Sequence, residues 1–229
     1  MHARRSPFAA AWRRGLITGA VTAAGLALVF SLGYLDRDRT PTATPAAPRA
    51  EPLPTAPPSA ETDVARLVEV PGGTVAVSET AGPRRLVAGR ASGFGHDAPG
   101  AALAATSLAV QASAAAGPVV FEPTITEQCW GDTDTQRLRA RLGAPTLTPA
   151  ERDARRVRAL YYRVVASNPG GDRVTVAVLA DSAFWAARGG FGRSTLTVRW
   201  FGGDWQLLVP VPEPTPQAST TGYRLLARP

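Results

Sequence analysis

The sequence predicts an α+β fold for the larger, C-terminal part of the chain, and three observations predict it. Helix-forming text gathers ahead of Tyr161, and period-two alternation takes over from there. The two kinds of text do not alternate, so helices are expected to cover one face of a curved antiparallel sheet rather than to connect parallel strands. Ahead of that domain stand an uncharged apolar run and a proline-rich stretch, neither of which a packed core requires. The expected architecture is an N-terminal transmembrane helix, a proline-rich linker, and three helices on a curved antiparallel sheet preceded by a short β-rich segment.

Residues 1–15 carry Arg4, Arg5, Arg13 and Arg14 and no acid. Residues 16–35, LITGAVTAAGLALVFSLGYL, are free of charge. At ~1.5 Å per residue they span a hydrocarbon layer of roughly 30 Å. The run exceeds the ~7–15 apolar residues of a cleaved secretion signal and has no small-residue cleavage site behind it. No cysteine directly follows it for lipid attachment. Arginines on the N-terminal side alone place that end in the cytoplasm and send everything from Asp36 outward. Residues 36–61 read as a spacer: seven of the 21 residues from Thr40 to Ala60 are proline. Such text buries too little apolar surface to offset its ordering entropy, and it favours an extended polyproline II course.

The domain is expected over residues 62–210. Short β-branched runs at Val64–Val70, Val75–Ser78 and Leu86–Gly89 are separated by Pro71-Gly72-Gly73 and other turn residues. Asp97 can cap a first helix through the alanine-rich segment that follows. Thr133 with Gln136, and Thr148 with Pro149 and Glu151, have the spacing of capping boxes for a second and a third helix. Tyr162, Val164 and Ala166 then share one strand face, and Val174, Val176 and Val178 share another across the Asn168-Pro169-Gly170-Gly171 turn. Leu196, Val198 and Trp200 lead into a Gly202-Gly203-Asp204 turn, from which Trp205, Leu207 and Val209 return. Residues 211–229 repeat the proline-rich composition and are expected to form a flexible tail, the alternative being that Tyr223-Arg224-Leu225-Leu226 docks as an edge strand or a short interaction motif.

Three helices, a long strand and hairpins ending in Trp200-Phe201-Gly202-Gly203-Asp204-Trp205 resemble the NTF2-like (cystatin-like) cone fold. One anchor helix ahead of a single such domain is similar to the VirB8 and TcpC family of conjugative and type IV secretion assembly proteins. The stretch Gly93–Thr106 resembles the opening of small membrane-anchored proteins from actinobacterial conjugative elements. The resemblance covers about two thirds of the chain and implies a protein-binding assembly role.

Composition removes several chemistries. A single Cys129 excludes an intrachain disulfide and a thiolate metal cluster, and two histidines leave a histidine zinc site without enough ligands. No cofactor or metal is expected. All 25 basic residues are arginine, and four of them precede the first acid, so the net charge of +7 gives no case for nucleic-acid binding. There is no G-x-S-x-G, H-E-x-x-H or S-x-x-K, and the glycine pairs lack the lysine of a phosphate loop. Cys129, between Gln128 and Trp130, reads as a buried thiol.

Two candidate sites remain. Arg137, Arg141, Arg152, Arg155 and Arg156 concentrate positive charge on the second and third helices and form the candidate partner-binding set. His96-Asp97 is the one adjacent imidazole and acid in the exported part, a candidate pocket pair for an anchored enzyme or small-ligand binder. The expected function is non-enzymatic: a single-pass envelope protein, N-terminus inside, whose exported domain assembles with other envelope or secretion-machine proteins or with a second copy. A cell-wall-binding or sensor module is the other alternative.

Overall fold

The computed structural model describes residues 64–143 and 146–229. Its seventeen elements all lie within one compact unit. The expected membrane helix over 16–35 and the linker over 36–61 lie outside the described residues. No helix among those described is long and apolar enough to cross a membrane.

The chain opens with a hairpin, β1 (Ala65–Val70) and β2 (Gly73–Val77), and a smaller one, β3 (Arg85–Val87) and β4 (Arg90–Ser92). Helix α1 (Ala98–Gln111) follows, with the Asp97 carboxylate accepting the Gly100 amide at 2.7 Å. It is buried without a break from Gly100 to Leu108, because strands from several parts of the chain curl around it. Alanine makes that possible by letting backbones approach closely, and a Cβ on Gly100 would collide with the Gly95 carbonyl. After a single 3-10 turn come α2 (Pro118–Gln128), β5 (Cys129–Gly131), α3 (Thr133–Leu142) and α4 (Pro149–Arg155). Thr148 and Glu151 form the expected reciprocal capping box. On α3 the cap is Asp132 rather than Thr133, with its carboxylate on the Thr135 amide at 3.0 Å.

The remaining chain forms β6 (Ala159–Ser167), β7 (Arg173–Asp181), the single-turn α5 (Ala183–Ala186), β8 (Phe191–Phe201), β9 (Asp204–Val209), β10 (Thr215–Gln217) and β11 (Arg224–Arg228). Gly202 and Gly203 both have positive φ, +65° and +86°, the requirement of a two-residue hairpin turn whose twist matches its strands. Trp200 and Trp205 stand directly opposite each other across that turn.

Two expectations are corrected. The NTF2-like cone of three helices on a curved antiparallel sheet does not describe the molecule. A nine-stranded mixed sheet runs in the order β2-β1-β11-β6-β7-β8-β9-β5, with β10 beside β8, and curls into a half-barrel. Strand exceeds helix, about 40% against 30%, so the sheet rather than a helical layer is the frame. Two pairings are parallel, β1 with β11 and β5 with β9, and both join segments far apart in sequence. Periodicity reports which face a residue takes but not which strand lies beside it, so neither pairing was visible. Helix α2 was also missed, because two prolines and a run of β-branched residues mask it.

The second correction concerns residues 211–229, expected as a flexible tail. β11 is an interior strand, parallel to β1 on one side and antiparallel to β6 on the other. Leu226 and Ala227 are buried in the core. The alternative of a docked edge strand at Tyr223–Leu226 comes nearer, but this strand lies inside the sheet because two neighbours offer it hydrogen-bonding edges.

The register places Leu196, Val198 and Trp200 on the core side as expected, yet burial separates the two tryptophans: Trp205 is 1% exposed and Trp200 is half-buried at the core's rim. Trp205→Ala is expected to cost about 3–5 kcal/mol in urea unfolding. Trp200→Ala is expected to cost clearly less. Equal losses would contradict this placement.

Candidate functional site

The site begins with the hairpin of β8 and β9. The Asp204 carboxylate accepts the Gly93 amide at 2.6 Å and the Phe94 amide at 3.2 Å, and the Trp205 indole N–H donates to the Gly95 carbonyl at 2.8 Å. The loop entering α1 is thereby held against the hairpin. His96, the next residue, lies flat on Trp200 with ring centroids 4.2 Å apart and an angle of 12°, and meets the edge of Trp205 at 5.4 Å. Its Nε2 is 3.2 Å from Oδ1 of Asp172, in the turn between β6 and β7. Both side chains keep substantial solvent contact, 40% and 56% exposed.

The pair singled out from sequence is thus divided. Asp97 serves as the cap of α1, and His96 takes its acid partner from a turn 76 positions later in the chain. An open groove beside this cluster is lined by Asn168, Asp172, Arg173, Arg199 and Trp200. His96 and Asp97 are not among its lining residues. Asp172 carried no motif, and its role follows only from the Asn168 turn: Asn168 Oδ1 accepts the Arg173 amide at 2.8 Å, and the Asp172 carbonyl accepts the Trp200 amide at 2.7 Å.

On the outer face of the same sheet, Arg173 and Arg199 stand opposite each other as partners in the ladder of β7 with β8. Arg199 donates through Nε and Nη2 to Oε1 of Gln206 at 3.1 and 2.9 Å. The guanidinium carbons of Arg173 and Arg199 lie 5.1 and 4.6 Å from the centre of the Trp130 ring, and Arg199 is also 5.2 Å from that of Phe201. β5 brings Trp130 there by pairing with β9, opposite Leu208. The Trp130 Nε1 is buried with no acceptor, and neither arginine makes an ion pair among the described residues. Sequence reasoning missed this set. The alternation of β7 and β8 does mark both arginines as outward, but their juxtaposition needs the register, and Trp130 needs the parallel pairing.

The arginines proposed from sequence do not form one patch. Arg137 and Arg141 converge on Glu122 of α2, at 3.2 and 2.6 Å. The Arg141 hydrogen bond, aided by the charges of both arginines, holds the Glu122 carboxyl below its ordinary range. Arg155 stacks on Phe184 at 4.0 Å, with Arg188 over the same ring at 3.5 Å. Arg156 reaches Asp153 at 3.5 Å, and Arg152 is exposed without an ion pair among the described residues. Most of this charge is engaged within the domain.

Cys129 is buried at the start of β5, and burial pushes its thiol from 9.0 up to about 12. A thiolate nucleophile is disfavoured there, since the reactive form is the one that burial penalises. No group of three or more His, Cys, Asp or Glu among the described residues is arranged to hold a metal ion.

A mixed-sheet half-barrel wrapped on one alanine-rich helix, with aromatic and arginine side chains on its outer face, is the class that fold and site define. The chain belongs to the family described as a domain of unknown function, DUF8175, which matches residues 36–224. No curated protein and no solved structure matches it.

Two outcomes are expected from this geometry. Folded Cys129 keeps its proton up to about pH 12 while the unfolded thiol loses its proton near 9.0. Its contribution to stability is therefore fully present below pH 9 and declines as pH rises across that window. Urea unfolding at pH 8 and pH 10 should show a larger loss for the parent than for Cys129→Ala. His96→Ala should cost about 1 kcal/mol, the worth of an aromatic stack, with little added by the exposed contact to Asp172. If it abolishes cellular function with no larger loss of stability than that, His96 belongs to a ligand or catalytic site.

Proposed function

We propose that this protein is a membrane-tethered envelope component whose C-terminal domain binds other proteins in an assembly. The uncharged run from Leu16 to Leu35 with arginines before it supports the tether, and the proline-rich stretch after it supports a spacer. The observation that carries the binding role is the outer sheet face, where Arg173, Arg199, Trp130 and the 63%-exposed Phe201 lie together. Arginine and tryptophan dominate the energetics of protein interfaces, because they combine large contact area with directed hydrogen bonds. The conjugation or secretion setting draws on the resemblance of Gly93–Thr106 and of a single anchor ahead of one domain, and not on the cone architecture that the mixed sheet replaces.

A photocrosslinking residue at Phe201, in cells producing the full chain, is expected to trap a specific protein adduct in the membrane fraction. The same residue at exposed Val119, on α2, is expected to trap none. A reporter active only outside the cytoplasm, fused after Pro229, should be active and stay with membranes through a high-salt wash. Absence of any adduct at Phe201 contradicts the binding role, and a soluble, shortened form contradicts the tether.

A further inference from the structure

We infer that Arg173 and Arg199, held opposite each other over the Trp130 ring, form a carboxylate-binding site that takes an acidic segment of a partner protein. The inference rests on the protein-binding reading above and names the chemistry that the face recognises.

Two guanidinium groups placed directly opposite each other in an antiparallel ladder repel, and a fold does not gain by such a pair. Several arginines elsewhere in the domain meet acids: Arg90 meets Glu127 at 2.6 Å, Arg141 meets Glu122 at 2.6 Å, and Arg158 meets Asp181 at 2.6 Å. At Arg173 and Arg199 no acid comes within ion-pair distance among the described residues. Asp172 is adjacent in sequence and lines the same groove, but its carboxylate faces His96.

The hydrogen-bond inventory leans the same way. Arg199 donates twice to one oxygen of Gln206, and the guanidinium of Arg173 makes no hydrogen bond among the described residues. The cluster therefore offers several donors and almost no acceptors. An anion with two oxygens answers that deficit, and a carboxylate matches the planar fork of arginine in a bidentate pair.

The aromatic rings decide between an acidic protein segment and a nucleic acid. Single-stranded nucleic acid binds by stacking its bases on free aromatic faces. Here both guanidinium groups lie over Trp130, and Arg199 also lies near Phe201, so the platform is already engaged by cations. What those cations leave open is their hydrogen-bonding edges, which suit carboxylates. The groove between the Asn168 turn and β8 gives such a segment room to lie beside the arginines.

The test is fluorescence anisotropy of a labelled hexaglutamate peptide with the full chain in detergent micelles, at low ionic strength. Saturable binding is expected. Arg173→Gln with Arg199→Gln should weaken it about tenfold or more, and Arg152→Gln with Arg156→Gln should leave it within about twofold. If the double variant does not share the parental melting temperature, Arg173→Gln alone is read, since that residue is exposed. Absence of peptide binding, equal losses in the two double variants, or stronger competition by hexathymidylate or inorganic phosphate than by unlabelled peptide would overturn the inference. A Phe201 crosslink that persists while the peptide fails to bind overturns this site alone and leaves the assembly role standing.

Discussion

The architecture depends on the grip of the β8–β9 hairpin on the loop that enters α1. Asp204 and Trp205 take hold of three consecutive residues, Gly93 to Gly95, through two amides and one carbonyl. Bonds to a charged carboxylate in a partly buried setting are among the stronger hydrogen bonds a fold makes. The Trp205 ring fills the core as its N–H holds the loop. Because α1 starts directly behind that loop, the grip sets where the helix enters the half-barrel and therefore where the strands around it must close. It also delivers His96 onto Trp200, so the aromatic cluster at the rim is a consequence of the same contact.

Charge is distributed unequally over the surface. Around the helices much of it is paired: Glu122 holds two arginines, Arg90 has Glu127, and Arg156 reaches Asp153. Exposed pairs of this kind add little stability, but they quench the local field and leave little to attract a partner. The outer face of β7 and β8 lacks such quenching. Cation–π contacts soften the mutual repulsion of Arg173 and Arg199 without removing their charge or using their hydrogen-bonding edges. A surface that keeps its charge and its donors available is suited to recognition rather than to fold stability.

Much of the local structure was legible in the sequence. Asp97 and Thr148 cap helices because their side chains can reach backbone amides three residues on, and that is a property of the few residues involved. The Gly202-Gly203 turn, the facing of Leu196, Val198 and Trp200, and the outward positions of Arg173 and Arg199 follow from backbone freedom and period two. Cys129 is the buried thiol that the sequence, with Trp130 beside it, led one to expect. α2 was hidden because its stability comes from packing Val120, Phe121 and Ile125 rather than from propensity.

By itself, then, the sequence determined caps, turns, strand faces, the shortage of metal ligands and the apolar and proline-rich character of residues 16–61. Each of these is decided within a few residues by sterics, hydrogen-bond reach or side-chain polarity. Tertiary structure alone decided that β11 is an interior strand, that β5 runs parallel to β9, that His96 answers to Asp172 rather than to Asp97, and that Trp130 lies against two arginines. Those facts depend on which distant edges find each other. Such pairings are selected by the summed burial and hydrogen bonding of the whole sheet, a quantity that no single segment carries.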